Sequence, residues 1–177
     1  MKATEYKSQI RCKDWSLLYS FWQKRRTSGW DKGKALEYSI LRAFELEGAD
    51  VAYPYEVSDS LGVFEQIDGV IYVDNLCIIA ESKDYSNYNL DIEPIAKLQV
   101  RLLRRPATVI GCVFSSTGFT WPAQTLIETL EPRTILLWDK EDIEYCFKNR
   151  CFIKALRKKF RQVVETGNHY YKVSIRL

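Results

Sequence analysis

The sequence of 177 residues lacks any long apolar run. No segment approaches the roughly 20 apolar residues that a helix needs to cross a bilayer, and the first residues contain no apolar stretch typical of a signal peptide. We therefore expect a soluble, cytoplasmic protein with no membrane partner.

Histidine is also nearly absent, and the cysteines form no pattern. The five cysteines are scattered without a CxxC pair, and His169 is the only histidine. Neither a zinc site nor a disulfide framework is indicated, and small buried thiols are the simplest interpretation. The sequence has no P-loop, no GxGxxG and no Ser/His/Asp set, so ATP use and acyl transfer have no support.

The composition that is present fits one globular domain. Apolar residues make up 46% of the chain and charged residues 28%, with no internal repeat, low-complexity tract or Pro/Gly-rich linker. We predict a single domain over 1–177. Within it we expect an N-terminal helical extension at 1–32, a core at 33–138, and a basic C-terminal region at 139–177 that packs on the core.

Charge is distributed unevenly along the chain. Residues 1–34 hold nine Lys/Arg against three Asp/Glu, residues 35–95 hold two against thirteen, and residues 96–177 hold fifteen against seven. An acidic middle between basic ends suits a metal-dependent enzyme that acts on a polyanion, because carboxylates concentrate cations while ammonium and guanidinium groups hold phosphates. Ordinary charge scatter is the alternative.

Hydrophobic periodicity predicts helices before and after a group of strands. The expected helices are 14–26, 34–47, 92–105, one that begins at Trp121, and 139–147; the expected strands are 50–57, 66–73, 76–83, 108–115 and 134–138. Residues 77–80 are apolar on both faces, which indicates a central strand covered on each side. We therefore predict an α/β fold with a central mixed β-sheet flanked by helices.

One predicted hairpin carries the candidate chemistry. Asp74-Asn75 is a strong two-residue turn signal between two strand-like runs. A hairpin closed at this turn pairs residue 73 with residue 76 and, further along the same ladder, Asp68 with Glu81. Residues paired in this way have Cβ atoms about 4.5–5.5 Å apart, so two carboxylates are predicted side by side.

Like charges in that position repel, and a hard divalent cation between them would remove the conflict. Oxygen ligands of this kind suit Mg²⁺, with Mn²⁺ as a substitute. Lys83 lies two residues beyond Glu81, hence on the same face, where its ammonium can orient a water or offset developing negative charge. The alternative is a hairpin end with solvated charges.

Two polar residues fall on the apolar stripes of the flanking helices. Glu37 shares a stripe with Leu41 and Phe44; it is either a supporting or metal-binding carboxylate or a boundary residue that reaches water. Gln99 lies in the stripe of the helix that follows the hairpin. It either positions a water or a phosphate, or caps a sheet edge.

Two basic clusters are candidates for nucleic-acid binding. The first forms a ridge at helical spacing and consists of Lys97, Arg101, Arg104 and Arg105. The second is a cationic helix face and consists of Lys148, Arg150, Lys154, Arg157, Lys158, Lys159 and Arg161. We assign phosphate contacts to the first ridge and to Lys154 and Lys158 of the second cluster. A solvated helix face is the alternative in each case.

At these residues the sequence resembles the PD-(D/E)xK nuclease superfamily, which has the restriction endonuclease-like fold, and within it the Mrr-like and Holliday-junction-resolvase-like branches. The resemblance covers about residues 33–138 and is carried by GKALEYSILRAFELEGADV, QIDGVIYVDNLCIIAESKDY, KLQVRLLRR and VIGCVFSSTGFTWPA. It implies an αβββαβ core with additional helices. The sequence departs from the motif at its proline, where Ile67 stands.

The resemblance implies a role for each candidate residue. Asp68 and Glu81 would bind Mg²⁺, Glu37 would support the metal site, Lys83 would assist the attacking water, and Gln99 would join them. The expected activity is that of a metal-dependent endonuclease that hydrolyses phosphodiester bonds in DNA.

Expected partners, besides DNA, are a second copy in a homodimer and a specificity or defence protein, because little of the chain lies outside the core. The alternatives are a non-catalytic nucleic-acid-binding or assembly module of the same fold, and a nuclease that acts on RNA or on branched DNA in repair.

Overall fold

The computed structural model describes residues 1–59, 62–129 and 134–176. Its α-helices are α1 (Ala3–Arg11), α2 (Trp15–Gln23), α3 (Lys34–Leu46), α4 (Ile92–Leu103), α5 (Trp121–Thr129), α6 (Lys140–Asn149), α7 (Phe152–Thr166) and α8 (Val173–Arg176). Its strands are β1 (Asp50–Ala52), β2 (Tyr55–Asp59), β3 (Gly62–Ile67), β4 (Gly69–Val73), β5 (Leu76–Lys83), β6 (Val109–Ser115) and β7 (Ile135–Trp138). A short 3-10 helix, Arg25–Thr27, follows α2.

The main sheet has five strands in the order β1-β4-β5-β6-β7. The β1, β4 and β5 strands pair antiparallel, whereas β5, β6 and β7 pair parallel. Alternating side chains enter separate cores: Ile78 and Ala80 face the helices α1, α2, α3, α6 and α7, whereas Ile79 faces α4 and α5. The prediction of an α/β fold with a mixed sheet between helices is confirmed.

Two predicted strands have different boundaries in the structure. The predicted strand 50–57 is divided into β1 and β2 around Pro54, because proline cannot donate to the hydrogen-bond ladder. The predicted strand 66–73 is interrupted at Asp68, which separates β3 from β4. The strands β2 and β3 form a two-stranded antiparallel sheet of their own, so Asp68 lies where the chain passes from one sheet to the other.

The predicted hairpin has the predicted register. Val73 pairs with Leu76 and Gly69 pairs with Ala80, so the ladder ends one residue before Asp68 and Glu81. Asp74 adopts the left-handed backbone conformation that the tight turn requires, with φ of 52°.

Close packing of α4 on the sheet depends on a glycine. A Cβ atom at Gly111 of β6 would lie 2.8 Å from Leu98 Cδ2 and 3.1 Å from Leu102 Cδ1. Because glycine has no Cβ, α4 can approach β6 closely, and this helix carries Gln99 and Arg101.

The C-terminal part of the chain is held by a buried ion pair. Lys159 is fully buried, and its ammonium donates to Asp142 Oδ2 at 2.7 Å and to the Tyr171 carbonyl at 2.5 Å. The prediction that Lys159 lies on a cationic outer face is therefore wrong: its charge is satisfied inside the protein. Among the described residues, no helix is both long and apolar enough to span a bilayer.

Candidate active site

Asp68 is fixed to the strand that carries the other two motif residues. Its Oδ2 accepts a hydrogen bond of 2.6 Å from the backbone amide of Ser82. Ser82 lies between Glu81 and Lys83 at the end of β5. Asp68 itself is half-buried. The break between β3 and β4 therefore places this carboxylate beside the end of β5.

Glu81 is buried and is held on both carboxylate oxygens. Lys83 Nζ lies 2.5 Å from Glu81 Oε1, and Arg101 of α4 donates to Oε2. Arg101 also donates to the Gln66 carbonyl at 2.9 Å. The helix α4 thus contributes a cation directly to the carboxylate predicted to bind metal.

Glu37 approaches the same place from the first turn of α3. It is 5% exposed, and its Oε2 accepts from Lys34 Nζ at 2.7 Å. The helix begins after Gly33, whose φ of 83° is readily adopted by glycine. The first turn of α3 therefore places Lys34 and Glu37 in the same cleft as Asp68 and Lys83. Glu37 faces inward, and Lys34 is its partner.

The carboxylates influence one another. Burial and the charges of Asp68 and Glu81 raise the pKa of Glu37 to about 8, although Lys34 opposes the shift. Burial and the charge of Glu81 raise the pKa of Asp68 to about 6, against the effects of Lys83 and the Ser82 amide. Glu37, Asp68 and Glu81 therefore lie close enough that the ionisation of one makes the ionisation of the next less favourable.

Lys83 remains charged in this environment. Burial lowers the pKa of Lys83, but the charge of Glu81 and the hydrogen bond to it raise the pKa by more, so the pKa lies above the ordinary lysine value. An ammonium of this kind supplies positive charge and hydrogen bonds. It does not supply a ready proton acceptor.

A cleft of about 260 Å³ opens over these groups. Its lining residues are Lys32, Gly33, Lys34, Glu37, Asp68, Ser82, Lys83, Asp84 and Tyr85. Glu81 is not part of the lining; it is buried and pairs with Lys83 and Arg101. Substrate and ions would reach Asp68, Glu37 and Lys83 first.

The donor atoms suit a hard divalent cation, because all three predicted ligands are carboxylates whose mutual repulsion a cation would relieve. In the described part of the chain, however, no three Asp, Glu, Cys or His side chains converge closely enough to hold a metal ion. Instead, Lys34 pairs with Glu37, Lys83 and Arg101 pair with Glu81, and the Ser82 amide holds Asp68. The chemistry of the site fits Mg²⁺, and its ion pairs would have to rearrange to bind it.

Gln99 is buried on α4, and its Oε1 forms no hydrogen bond with any residue that the structure describes. A buried amide oxygen without a partner is uncommon. No hydrogen bond connects Gln99 with Asp68, Glu81 or Lys83 in these residues. Its predicted role in positioning water or phosphate stays a prediction.

The predicted phosphate-binding ridge on α4 contacts acids. Arg104 Nη2 and Arg105 Nη2 lie 2.8 and 2.6 Å from the two oxygens of Glu65, which is buried, and Lys97 pairs with Glu93 one turn earlier. Arg104 is 53% exposed despite its ion pair. These cations would have to release or share their acidic partners in order to bind phosphates.

The two predicted phosphate contacts on α7 lie elsewhere. Lys154 is exposed and lines a hollow of about 550 Å³ with Arg157, and Lys158 lies 5.9 Å from the ring centre of Tyr171. Arg157 pairs with Asp74 in the hairpin turn. This part of α7 therefore adjoins the end of β5 that is remote from Lys83.

Sequence reasoning missed several contacts of the site. Lys34 pairs with Glu37, Ser82 holds Asp68, and Arg25 and Arg26 pair with Asp84, the residue after Lys83. The basic run at 24–26 was visible in the sequence, but nothing in it indicated that the N-terminal helices would reach the end of β5. Tertiary contacts decide these placements.

No protein-family model matches the chain, and no curated protein matches it. Solved structures do share its fold. The small subunit of the heterodimeric restriction endonuclease R.BspD6I aligns with a TM-score of 0.55 at 9% identity, over 85% of this chain and 89% of that one. AF1548, a protein of unknown function, aligns with a TM-score of 0.50 at 14% identity, over 75% of this chain and 77% of that one. At such low identity the likeness establishes the restriction endonuclease-like fold alone.

Proposed function

We propose that this chain is a metal-dependent endonuclease that hydrolyses phosphodiester bonds in DNA at the cleft over Asp68. One arrangement carries the proposal: burial, together with the charges of Asp68 and Glu81, raises the pKa of Glu37, and the Lys83 ammonium lies 2.5 Å from Glu81. A purely structural site gains nothing from three interacting carboxylates. In phosphodiester hydrolysis, in contrast, such carboxylates can hold a hard cation, and a fixed positive charge stabilises the negative charge that develops on the phosphate.

Asp68, Glu81 and Glu37 would hold Mg²⁺, or Mn²⁺ in its place. When bound, the ion supplies a nucleophilic water near neutral pH and stabilises charge on the phosphoryl oxygens. The fold supports this assignment, since the R.BspD6I small subunit, which belongs to a restriction endonuclease, shares it. The Mrr-like and Holliday-junction-resolvase-like branches both stay open.

Three groups of the protein would position the metal ligand Asp68 and bind the phosphate. The Ser82 amide fixes the Asp68 carboxylate, so this acid does not rotate away from the cleft. Lys83, which remains an ammonium at neutral pH, would place positive charge beside the phosphate as negative charge develops on its oxygens. Lys34, at the mouth of the same cleft, would bind a neighbouring phosphate oxygen once Glu37 turns to the metal.

Recognition of a target sequence requires more than this site. The similar R.BspD6I chain is one subunit of a heterodimeric enzyme, and we extend to this chain the proposal of a partner, either a second copy or a specificity or defence protein. A homodimer would bring two sites to the two strands of a duplex. Analytical ultracentrifugation with and without a DNA duplex would show which assembly forms.

The main alternative is a non-catalytic nucleic-acid-binding module of the same fold. It is favoured by Glu81, whose two oxygens are both occupied by Lys83 and Arg101. A module of this kind would bind DNA equally well in EDTA and in Mg²⁺ and would cleave nothing. A nuclease would show cleavage that depends on the cation.

The test incubates the purified protein with supercoiled plasmid, single-stranded DNA, RNA and a four-way junction, each with Mg²⁺, Mn²⁺ or EDTA. Glu81→Gln and Lys83→Met are run beside the wild type. We expect metal-dependent nicking of plasmid that both substitutions abolish. Cleavage of RNA or of the junction alone would reassign the substrate, and equal cleavage by either variant would refute the site.

A further inference from the structure

The active-site cleft continues into a longer groove. A hollow of about 230 Å³ shares Lys32, Gly33 and Asp84 with the cleft. A third hollow, of about 350 Å³, shares Arg25 and Arg26 with the second. Because neighbouring hollows share lining residues, the three follow one another from the carboxylates to the start of α6. We call the part beyond the cleft the arginine groove; it is lined mainly by Arg25, Arg26, Lys32, Ser86, Thr117 and Lys140.

Arg25 is fixed in the wall of the arginine groove. Its guanidinium lies 3.8 Å from the ring centre of Trp22, and its Nη1 donates to the Trp22 carbonyl at 3.1 Å. The side chain is only 10% exposed, and its Nε makes no hydrogen bond with a described residue. This Nε lies 3.5 Å from Asp84 Oδ2, so the charge of the buried guanidinium is paired while one of its donors lacks a hydrogen bond.

Arg26 connects the arginine groove with the active-site strand. Its Nε and Nη2 donate to Asp84 Oδ1 at 3.2 and 3.0 Å, and Nη2 also donates to Ser116 Oγ at 3.3 Å. Asp84 directly follows Lys83. The Arg26 side chain is nevertheless 41% exposed, so its solvent-facing donors can bind a ligand while Asp84 stays paired.

Positive charge exceeds negative charge in the arginine groove. Asp84 is one carboxylate between two arginines. The other two lining acids have cations of their own, because Asp31 is 3.6 Å from the N-terminal amine and Glu144 is 2.9 Å from Lys148. Lys32 and Lys140 are exposed, and neither forms an ion pair within residues 1–59, 62–129 and 134–176.

We propose that the arginine groove binds the sugar-phosphate backbone of the DNA strand whose scissile phosphate lies over Asp68. The inference rests on the proposed function and deepens it by naming the binding surface. Arginine and lysine donors beside serine and threonine hydroxyls are the groups that contact phosphates in protein–DNA interfaces. Continuity with the cleft gives the strand a direct path to the carboxylates.

This surface differs from the one that the sequence predicted. The ridge of α4 contains Arg101 and Arg104, which have acidic partners at Glu81 and Glu65. The N-terminal segment, expected to be an extension of the core, instead supplies Arg25, Arg26 and Lys32. It is therefore part of the substrate surface in this proposal.

The test measures binding without cleavage. Fluorescence anisotropy of a labelled duplex in EDTA, at several salt concentrations, compares wild type with Lys32→Glu, Lys140→Glu and the double variant. Both lysines are exposed and lie outside the carboxylate network, so thermal melting should remain unchanged. Arg11→Glu is the control, since it makes the same change of charge at a residue that is 53% exposed and pairs with Glu45, at the end of α3 remote from the cleft.

We expect the double variant to bind at least about tenfold more weakly and to lower the slope of log affinity against log salt by roughly two, one per lost phosphate contact. Arg11→Glu should bind as the wild type does. Unchanged affinity in the double variant, or an equal loss in Arg11→Glu, would overturn the proposal. If the groove substitutions weaken binding but the wild-type protein cleaves no substrate, the groove remains a DNA-binding surface and only the proposed nuclease activity is refuted.

Discussion

The Asp68 carboxylate accepts a hydrogen bond of 2.6 Å from the backbone amide of Ser82. Because Ser82 stands between Glu81 and Lys83, this one bond ties the acid at the junction of the two sheets to the strand that carries the other motif residues. The donor of this hydrogen bond is a backbone amide. A substitution of Asp68 that removes its charge but keeps an acceptor oxygen should therefore preserve the bond.

Arg101 should compete with metal ions for Glu81. It donates to Glu81 Oε2, so a cation that binds this oxygen must displace a guanidinium. We expect Arg101→Gln to bind Mn²⁺ about tenfold more tightly, a difference of about 1.4 kcal/mol, in calorimetric titrations of the free protein. Lys97→Gln, on the same helix and paired with Glu93, should leave the affinity unchanged. Weaker binding in Arg101→Gln would mean that Arg101 organises Glu81 for the metal.

Glu37 should make stability depend on pH when metal is absent. Its pKa is about 8 in the folded protein against the ordinary 4.5, so the folded state holds the proton more tightly than the unfolded chain. The stabilising contribution is complete below pH 4.5, declines as pH rises, and is lost above about 8. Asp68, whose pKa is raised to about 6, acts in the same direction at lower pH.

Relative to wild type, Glu37→Gln should therefore gain stability between pH 4.5 and 8, by at most about 1.4 kcal/mol per pH unit. Urea denaturation in EDTA at a series of pH values measures this difference. Glu128→Gln, an exposed change on α5, serves as the control. A difference between Glu37→Gln and wild type that is constant over this range would show that Glu37 is already ionised in the folded protein.

Lys159 should be essential for stability. Its ammonium is fully buried with Asp142, and Asp142 Oδ1 also accepts from the Val173 amide at 2.8 Å. We expect Lys159→Met to lower the free energy of unfolding by about 3–5 kcal/mol, because it leaves a buried carboxylate without its cation. Lys158→Met, at the half-buried neighbouring position, should cost about 1 kcal/mol or less. Equal effects of the two in chemical denaturation would contradict the assignment.

The sequence predicted the elements that have strong local signals. The turn at Asp74 set the register of β4 and β5, and alternating apolar residues identified the buried strands, since both features depend on neighbours along the chain. The helix α1 was not predicted. It is short, and its only buried residues are Tyr6 and Ile10, too few to show a clear period.

The parts of the site that escaped prediction depend on distant contacts. The predicted hairpin placed Asp68 within a continuous strand. In the structure the chain passes from one sheet to the other at this residue, so Asp68 is not paired with Glu81 in the ladder. Its side chain instead accepts a hydrogen bond from the Ser82 backbone amide. Periodicity located Arg101 on a basic helix face. It could not show that a buried carboxylate of β5 would lie opposite, because that pairing arises only when α4 packs over Gly111.

The central claim is tested most directly by the rate of plasmid cleavage in saturating Mg²⁺ by Asp68→Asn. Asparagine keeps the carbonyl oxygen that accepts the Ser82 amide but loses the charge that would hold the metal. Asp74→Asn, the same change at the other end of β4, is the control. We predict a loss of at least about 100-fold, equivalent to about 2.7 kcal/mol of activation free energy, in Asp68→Asn alone, with a melting temperature no lower than that of the wild type. Cleavage at the wild-type rate by a folded Asp68→Asn protein would contradict the account.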